Sequence, residues 1–290
     1  MSEIRDRVAV ITGAASGIGR ALAQELAARG AQLALADVNA AGLEETRKML
    51  GAATARIYEV DVAKADAVEE FARRVQQDFG RASLLINNAG VALFGTFGEL
   101  TMEEFEWLIG INFWGTVYGC KFFLPMLLRE SDARIVNLSS VFGFFGPPGQ
   151  TAYCASKFAV RGFSESLREE LRSTPVKVTC VHPAGIATNV AVNARAGAST
   201  RADEQQAALE RFKKVAQISP ETAAQMIVEG ILRDKDRVLI GRDAYRIDFI
   251  SRLVPARASK MISSWMQKRT GSEEAVRAAA PAPSDDRVTS

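Results

Sequence analysis

The chain has 290 residues, of which 48% are apolar and 24% are charged. That composition is typical of a soluble globular protein with a substantial core, either one domain or two small ones. The 36 basic and 34 acidic side chains leave a net charge of +2, which excludes a general electrostatic field for gathering nucleic acid or anionic lipid. We find neither the pattern of a secretory signal nor an apolar run of membrane-spanning length.

The cysteines, Cys120, Cys154 and Cys180, are odd in number and show no metal-ligand spacing. They favour a reduced, cytoplasmic compartment, with buried or incidental thiols. A nucleophilic pair of Cys154 with the chain's one histidine, His182, would require a proximity that nothing in the sequence indicates. Because His182 also has no acidic or cysteine companions in a recognisable spacing, we predict no metal site.

Short apolar runs alternate with amphipathic stretches along most of the chain. The runs predict strands at 7–12, 31–37, 55–61, 82–90, 133–140, 176–183 and 236–241, and the stretches predict helices at 17–30, 40–50, 65–80, 101–129, 151–172 and 220–233. Strands that alternate with helices of this length imply parallel pairing through right-handed crossovers. Near-continuous apolar strands imply a sheet covered on both faces. The predicted fold is therefore α/β, a single-domain doubly wound (Rossmann-type), mostly parallel sheet with helices on both faces.

Three segments depart from this alternation. Residues 189–217 are polar and rich in alanine, and we predict one or two short helices within a loop that closes over a substrate. Residues 244–269 form a basic amphipathic segment that is broken near Pro255. Residues 271–290 have the composition of a disordered tail. We therefore predict one catalytic domain over 1–270, and we find no internal repeat beyond the strand and helix unit.

The first turn that leaves a strand is glycine-rich and reads TGAASGIG, with Gly13, Gly17 and Gly19. Ligands of doubly wound sheets bind beyond the carboxyl ends of the strands, so this turn is a candidate nucleotide site. Glycines allow backbone amides to approach a pyrophosphate closely, and the helix N-terminus behind them favours the negative charge. The spacing is not the usual G-x-G-x-x-G, since Ala15 takes the place of the second glycine, and a plain tight turn is the alternative.

The second predicted strand ends at Asp37, 18 residues beyond Gly19. A carboxylate there accepts hydrogen bonds from the adenosine ribose hydroxyls of NAD and repels a 2'-phosphate. Val38 and Asn39 follow it, and Ser16 rather than a basic residue precedes the second glycine of the turn. This combination favours NAD over NADP, with the alternative that Asp37 merely starts a turn or caps the next helix.

Five elements in order resemble the short-chain dehydrogenases/reductases from about residue 7 to residue 241. They are TGAASGIG, NNAG at 87–90, Asn112, NLSS ending in Ser140, and YCASK from Tyr153 to Lys157. The resemblance implies that Tyr153 is the catalytic acid/base and Lys157 its partner. It also implies that Ser140 binds the substrate oxygen and that Asn112 holds a water-linked proton path.

The same resemblance implies a set of cofactor-binding positions. They are Gly13, Ser16, Gly17, Ile18, Gly19, Asp37, Asp61, Val62, Asn88, Ala89, Gly90, Tyr153, Lys157, Pro183, Ile186 and Thr188. After the sixth strand the family usually has Pro-Gly, whereas this chain reads HPAGIATN with Ala184 in place of that glycine. The backbone path of this loop is therefore left open by the sequence.

The pairing of Tyr153 with Lys157 also has a physical reason, since a spacing of four residues stacks both side chains on one helix face. A phenol with a pKa of about 10 is a poor base near neutrality, but an adjacent ammonium lowers that pKa. Tyr153 would then take the alcohol proton as hydride leaves for the cofactor, or protonate the carbonyl in the reverse direction. If YCASK stood alone, a solvated lysine beside a half-buried tyrosine would be the simpler interpretation.

The loops around these groups are rich in Phe and Gly and poor in charge. Five aromatic residues are candidates for an apolar pocket or, alternatively, for the core or a subunit contact: Phe94, Phe97, Phe142, Phe144 and Phe145. Such a pocket favours a bulky secondary alcohol or ketone as the small-molecule substrate.

Two further hypotheses come from other classes of function. A non-catalytic NAD-binding sensor or scaffold is the alternative to an enzyme, because fold alone does not specify chemistry. The basic segment could lie on a membrane surface through Ile247, Ile250, Val254, Ile262 and Trp265. We expect it instead to pack against the domain or another subunit, in a homodimer or homotetramer formed through the long helices.

Overall fold

A parallel sheet is the framework of the molecule, a computed structural model that describes residues 3–51, 53–188 and 194–270. Seven of the strands in this part of the chain form the sheet, in the order β3-β2-β1-β4-β6-β7-β9 with every pair parallel. The strands are β1 (Val8–Thr12), β2 (Gln32–Asp37), β3 (Ala55–Glu59), β4 (Leu84–Asn87), β6 (Ala133–Leu138), β7 (Val176–Pro183) and β9 (Arg237–Ile240). The strand order reverses beside β1, which places the carboxyl ends of β1 and β4 at the switch point where such sheets bind ligands.

Helices cover both faces of this sheet. The main ones are α1 (Gly17–Ala28), α2 (Ala40–Met49), α3 (Ala65–Phe79), α4 (Met102–Ile109), α5 (Gly115–Leu127), α6 (Thr151–Glu170), α7 (Ala202–Val215) and α8 (Pro220–Leu232). On one face α1 packs against α8, and on the other α3 packs against α5 while α6 covers β7. Each face has its own cluster of buried apolar side chains, as a sheet hydrophobic on both sides requires. The predicted doubly wound fold is confirmed.

The predicted long helix over 101–129 is interrupted by a π-helical turn. Thr101 caps its start reciprocally with Glu104, so α4 begins as expected. A wider turn then spans Gly110–Trp114 and leads directly into α5. Such turns occur frequently at functional sites, and this one contains Asn112. Hydrophobic periodicity does not register one inserted turn, because the apolar pattern resumes on the other side of it.

A second, two-stranded sheet was not predicted. It pairs β5 (Leu93–Phe94) with β8 (Arg195–Ala196), which lies near the start of the predicted loop 189–217 and before α7. Strands of two residues are too short to carry an alternating pattern. The guanidinium of Arg195 also lies 3.9 Å from the ring centroid of Trp107 on α4. These contacts hold the described part of the loop against α4 and the β4–β5 connection.

The basic C-terminal segment forms two helices, α9 (Arg242–Leu253) and α10 (Ala258–Thr270). The break falls at the predicted Pro255. No helix within 3–51, 53–188 or 194–270 is long and apolar enough to cross a membrane. The predicted tail at 271–290 and the first five residues of the predicted loop, 189–193, lie outside the described residues.

Candidate active site

The carboxyl ends of the central strands open into one cleft with a volume of about 470 Å³. Every predicted cofactor residue except Gly19 lines it, and so do three of the four predicted catalytic residues, Ser140, Tyr153 and Lys157. The tertiary structure therefore brings together positions that span residues 13 to 188 of the sequence. Asn112 and Gly19 support this cleft from behind its surface.

The glycine turn after β1 has the backbone that its sequence predicts. Gly13 and Gly17 have φ angles of +67° and +53°, in the left-handed region that favours glycine. A Cβ on Gly19 would lie 2.0 Å from the carbonyl oxygen of Gly13, so only glycine allows α1 to start this close to the turn. The first helical residues, Gly17 and Ile18, line the cleft. This open cradle at a helix N-terminus fits the pyrophosphate of a dinucleotide.

Thr12 joins the turn to the neighbouring strand, a role that the sequence analysis missed. Its Oγ1 accepts hydrogen bonds from the backbone amides of Asn88 and Ala89, each at 3.1 Å. In return, the Asn88 side chain donates to the carbonyls of Thr12 at 2.9 Å and Gly13 at 3.1 Å. These bonds fix the floor of the cleft between β1 and β4. A polar residue that ends a fully apolar strand directly before the first glycine was the available signal.

Asp37 starts a turn at the end of β2, which is one of the two roles that its sequence context allowed, and its binding of a ribose stays a prediction. Its carboxylate accepts hydrogen bonds from the backbone amides of Ala15 and Asn39, each at 3.0 Å, and so ties the end of β2 to the glycine turn. It also lines the cleft. Asp61 is similar, since it accepts a hydrogen bond from the amide of Ala63 at 3.1 Å and still faces the cleft. Both carboxylates therefore shape the pocket beyond β2 and β3 and give it negative charge.

Tyr153 and Lys157 lie together on the first turns of α6. The Lys157 ammonium is 5.6 Å from the centroid of the Tyr153 ring. It donates a hydrogen bond to the carbonyl of Leu138 at the end of β6, at 3.0 Å. Burial disfavours the charged ammonium and lowers the pKa of Lys157 to about 8. The lysine is therefore largely charged at neutral pH and within reach of the tyrosine.

We expected the ammonium of Lys157 to lower the pKa of Tyr153. For the protein without a bound cofactor, this prediction is wrong. Burial raises the pKa of Tyr153 to about 12, and a hydrogen bond with the Ser140 hydroxyl only partly opposes that effect. The ammonium of Lys157, 5.6 Å from the ring centroid of Tyr153, donates its hydrogen bond to the Leu138 carbonyl. It does not offset the loss of solvent around the phenol. Tyr153 is thus a protonated hydrogen-bond donor at neutral pH.

Ser140 starts a short 3₁₀ turn, Val141–Gly143, just beyond the end of β6. Its Oγ accepts a hydrogen bond from the amide of Phe142 at 3.2 Å, which orients the hydroxyl in the cleft beside Tyr153. His182, buried at the end of β7, supports the same residue, since its Nδ1 lies 3.1 Å from the Ser140 carbonyl oxygen. Because a carbonyl only accepts, Nδ1 donates and carries the proton.

His182 is a neutral, structural histidine. Burial lowers its pKa to about 3, and its ring lies against Phe144 with the centroids 4.3 Å apart. Three or more residues of the metal-ligating types do not come together anywhere in the described ranges. The three cysteines are free and buried in this part of the chain. Burial also raises the pKa of the Cys154 thiol to about 12, which leaves it unreactive as a nucleophile.

Asn112 is fully buried in the π-helical turn, and its side chain holds Val91 and Ser156 in place. Oδ1 accepts from the amide of Val91 at 2.8 Å, while Nδ2 donates to the carbonyl of Val91 at 3.0 Å and to Oγ of Ser156 at 3.1 Å. These bonds tie the segment after β4 to α6, one residue away from Lys157. The water-linked proton path assigned to Asn112 by resemblance stays a prediction.

In the loop after β7, the residue that follows Ala184 supplies the backbone freedom of the missing glycine. Ala184 keeps an ordinary backbone, whereas Gly185 has a φ of +60°. A Cβ on Gly185 would lie 2.2 Å from the carbonyl oxygen of Val215, so this position requires glycine on two grounds. Pro183, Ile186 and Thr188 then line the cleft as predicted.

The substrate end of the cleft is built differently from the sequence prediction. Phe94 and Phe142 line it, but Phe144 and Phe145 are buried in a separate apolar cluster and Phe97 is exposed. Instead, the lining includes side chains from α7, which lies within the predicted loop, and from the C-terminal helices α9 and α10: Phe212, Val215, Ile247, Trp265 and Met266. Propensity and period place these residues on helices, but only tertiary packing turns those helices toward the cleft.

The C-terminal helices pack against the domain, as we expected. Ile247 and Ile262 are buried in the apolar cluster that also contains Phe144 and Phe145. Ile250 and Trp265 pack against the same cluster. Four of the five apolar residues considered for a membrane contact are therefore part of the fold.

Comparison with known proteins agrees with this geometry. Residues 7–199 match the family model described as short chain dehydrogenase. The chain is 42% identical over 273 residues to a putative oxidoreductase, SadH, of Mycobacterium tuberculosis, a match that covers 92% of this chain and 98% of that protein. It is also 32% identical over 257 residues to the probable oxidoreductase EphD of Mycobacterium bovis, covering 86% of this chain and 43% of that protein.

Two solved structures show the same fold with a bound dinucleotide. One is a short chain dehydrogenase/reductase from Burkholderia phymatum in complex with NAD, with a TM-score of 0.80, 31% identity, and coverage of 89% of this chain and 95% of that one. The other is a metagenomic short-chain oxidoreductase in complex with NADP, with a TM-score of 0.66, 28% identity, and coverage of 82% and 98%. The chain therefore belongs to the short-chain dehydrogenase/reductase family of oxidoreductases.

Proposed function

We propose that this protein interconverts a secondary alcohol and a ketone by hydride transfer to and from NAD, with Tyr153 as the acid/base. The observation that carries the proposal is that one cleft is lined both by the glycine turn and by apolar side chains from α7, α9 and α10. Ser140, Tyr153 and Lys157 line the same cleft. A dinucleotide and an apolar carbonyl compound would therefore meet at the hydroxyl of Tyr153.

The cofactor end favours NAD. The backbone of Gly13 and Gly17 would hold the pyrophosphate, and the carboxylate of Asp37 would accept the adenosine ribose hydroxyls and repel a 2'-phosphate. When bound, NAD supplies the hydride acceptor and, in its oxidised form, a positive charge on the nicotinamide ring. The solved relatives include one with NAD and one with NADP, so the preference rests on Asp37 and on the non-basic residues Ser16, Val38 and Asn39.

Without a bound cofactor, the pKa of Tyr153 suits the reducing direction, in which the hydroxyl gives up a proton. With a pKa of about 12, Tyr153 is protonated at neutral pH and ready to donate to a carbonyl oxygen that gains negative charge. Ser140 would donate to the same oxygen and fix its position. In the oxidising direction, added positive charge from the cofactor must act with Lys157 to lower the pKa of Tyr153.

The apolar end favours a bulky, uncharged substrate. Its walls carry Phe94, Phe142, Phe212 and Trp265, and such pockets bind aromatic or alicyclic groups better than sugars or phosphorylated metabolites. Three buried free thiols support a reduced, cytoplasmic location. Exposed aromatic residues beside the long helices, Trp114 and Phe158, support assembly into a homodimer or homotetramer.

Substitution Tyr153→Phe tests the chemistry, because it removes the hydroxyl and keeps the ring. We expect turnover of a panel of bulky ketones with NADH to fall about 10²- to 10⁴-fold. NADH affinity, measured by fluorescence titration, should stay within about twofold of the wild-type value, since the ring still packs in the cleft. Tyr118→Phe is the matched control, because Tyr118 stacks on Trp114 away from the cleft.

Two outcomes would contradict the proposal. Unchanged turnover in Tyr153→Phe would remove the tyrosine from the reaction. Wild-type protein that binds NADH tightly but reduces no ketone of the panel would favour the alternative function, a sensor or scaffold.

A further inference from the structure

The outer side of α9 carries a stripe of large apolar side chains. Tyr245, Phe249 and Leu253 are spaced four residues apart, which places them along one face of the helix. Their exposed fractions are 54%, 64% and 67%. Met261, on the neighbouring helix α10, is also exposed. Exposed large apolar side chains repeated along one helix face mark a contact site rather than scattered apolar residues.

The stripe is distinct from the face of α9 that the fold uses. Ala244 and Ile247 point into the apolar cluster with Phe145 and are fully buried. The helix is therefore already anchored, and the outer residues add nothing to that packing. An exposed aromatic and aliphatic stripe costs solubility without a benefit to folding, so it calls for a partner outside the described domain.

Positive charge is concentrated around the same stripe. Residues 242–269 contain seven basic and two acidic side chains, although the whole chain carries a net charge of only +2. The two acids are already paired, Asp243 with Arg246 at 3.9 Å and Asp248 with Arg237 and Arg252 at 2.5 and 3.1 Å. The exposed basic side chains beside the stripe include Arg242, Arg257 and Lys260.

We propose that this face of α9 and α10 docks the protein on an anionic lipid surface. A helix that lies in the plane of a membrane interface has an apolar stripe with aromatic residues and a polar face rich in Lys and Arg. The stripe of Tyr245, Phe249 and Leu253 with its basic margin has that pattern. Each basic side chain near an anionic bilayer adds to the attraction.

A second copy of the chain is a poorer occupant of this face. A two-fold symmetric contact places the same surface patch of both copies against itself. It would bring the basic residues around both stripes together without acidic partners, and like charges across an interface are unfavourable. Negative lipid headgroups complement both the charge and the apolar stripe.

Docking would affect how a substrate reaches the cleft, because α9 and α10 also line the cleft. Ile247 on α9, with Trp265 and Met266 on α10, lines the apolar end of the cleft. On α9 the docked stripe and the cleft-lining Ile247 are thus on opposite sides, and both helices connect the docked face with the substrate end. An apolar substrate dissolved in the bilayer would reach the cleft along them. This consequence rests on the proposed function, whereas docking itself does not.

Vesicle sedimentation of the full chain, without substrate or cofactor, tests the docking. We expect binding to vesicles of phosphatidylcholine with about one third phosphatidylglycerol, and little binding to phosphatidylcholine alone. Raising the salt from about 0.05 M to 0.5 M should weaken binding at least several-fold, because it screens the basic residues. Absence of binding to the anionic vesicles at low salt would overturn the proposal.

Two pairs of variants separate the stripe and its charges from general surface effects. Leu253→Ser should weaken anionic vesicle binding about tenfold, whereas Leu128→Ser, which removes an exposed leucine at the end of α5, should leave it unchanged. Lys260→Gln should weaken it about fivefold and Lys48→Gln, on α2, should have no effect. Equal binding within either pair would contradict the proposal.

Two further measurements distinguish other occupants and other failures. A change in oligomeric mass in Leu253→Ser, with vesicle binding unaltered, would make this face a contact between copies and overturn the proposal. Turnover of a water-soluble ketone by Leu253→Ser should equal that of the wild type. These measurements therefore distinguish a failure of the docking proposal from a failure of the proposed hydride transfer.

Discussion

The two ends of the cleft are built in different ways. The nucleotide end consists of backbone and short side chains from β1, β2 and β4, joined by hydrogen bonds such as those of Thr12 and Asp37. The substrate end consists of apolar side chains that α7, α9 and α10 contribute from far along the chain. Backbone geometry constrains residue type at the first end, while packing at the second end accepts many apolar residues. Sequence motifs therefore indicate a dinucleotide cofactor for this protein, but they indicate much less about its substrate.

Gly19→Ala should have the largest effect, because it breaks the nucleotide end. The added Cβ would lie 2.0 Å from the Gly13 carbonyl oxygen, and backbone atoms cannot yield cheaply. We expect a loss of about 3 kcal/mol or more in the free energy of unfolding, as for other strongly overpacked sites, and a loss of NADH binding. Chemical denaturation and fluorescence titration measure both effects. Gly162→Ala on α6 is the control, since nothing lies within 4 Å of its added Cβ.

Asp37→Ala should change cofactor choice at the same end. Removing the carboxylate removes its repulsion of a 2'-phosphate, and the ratio of kcat/KM values for NADH over NADPH should fall about 10- to 100-fold. The bonds to the amides of Ala15 and Asn39 are lost too, so affinity for NADH should also decrease. Steady-state kinetics with both cofactors measures the ratio. A wild type that already prefers NADPH would overturn the assignment.

Trp265→Ala tests the substrate end without touching the other. Opening the wall contributed by α10 should raise the KM for bulky ketones about tenfold, the effect of a modest loss of apolar contact. The KM for NADH should not change, because Trp265 packs against the apolar cluster of Phe144 and Phe145 and not against the glycine turn. An equal change in both KM values would show that the two ends are not independent.

The smallest effect concerns His182, which supports Ser140 between the two ends. Its pKa is about 3 in the fold and about 6.5 in an unfolded chain, so the unfolded state takes up a proton first as the pH falls. The histidine's contribution is complete above pH 6.5 and is lost as the pH drops toward 3. Between pH 7 and 5.5 the wild type should lose about 1 kcal/mol that His182→Asn does not lose. Asparagine keeps a donor for the Ser140 carbonyl, and parallel acid dependence in the two proteins would refute this account.

Much of the fold followed from local signals. The strands that became β1, β2 and β6 are apolar runs between turn residues, and the glycine turn, Asp37 and the Tyr153 to Lys157 spacing lie within short motifs. The π-helical turn around Asn112 and the pairing of β5 with β8 did not follow. One depends on a single inserted turn and the other on contacts between residues about 100 positions apart.

Local sequence was enough to predict the alternation of strands and helices, the glycines required by the turns, and the proximity of Tyr153 and Lys157, because each depends on neighbours within a few residues. Only the tertiary structure decided which side chains close the substrate end and which face of α9 stays exposed. It also decided the pKa of Tyr153, which burial raises above the usual value of a phenol. Solvent exclusion depends on everything that packs around a group, and no short stretch of sequence contains that information.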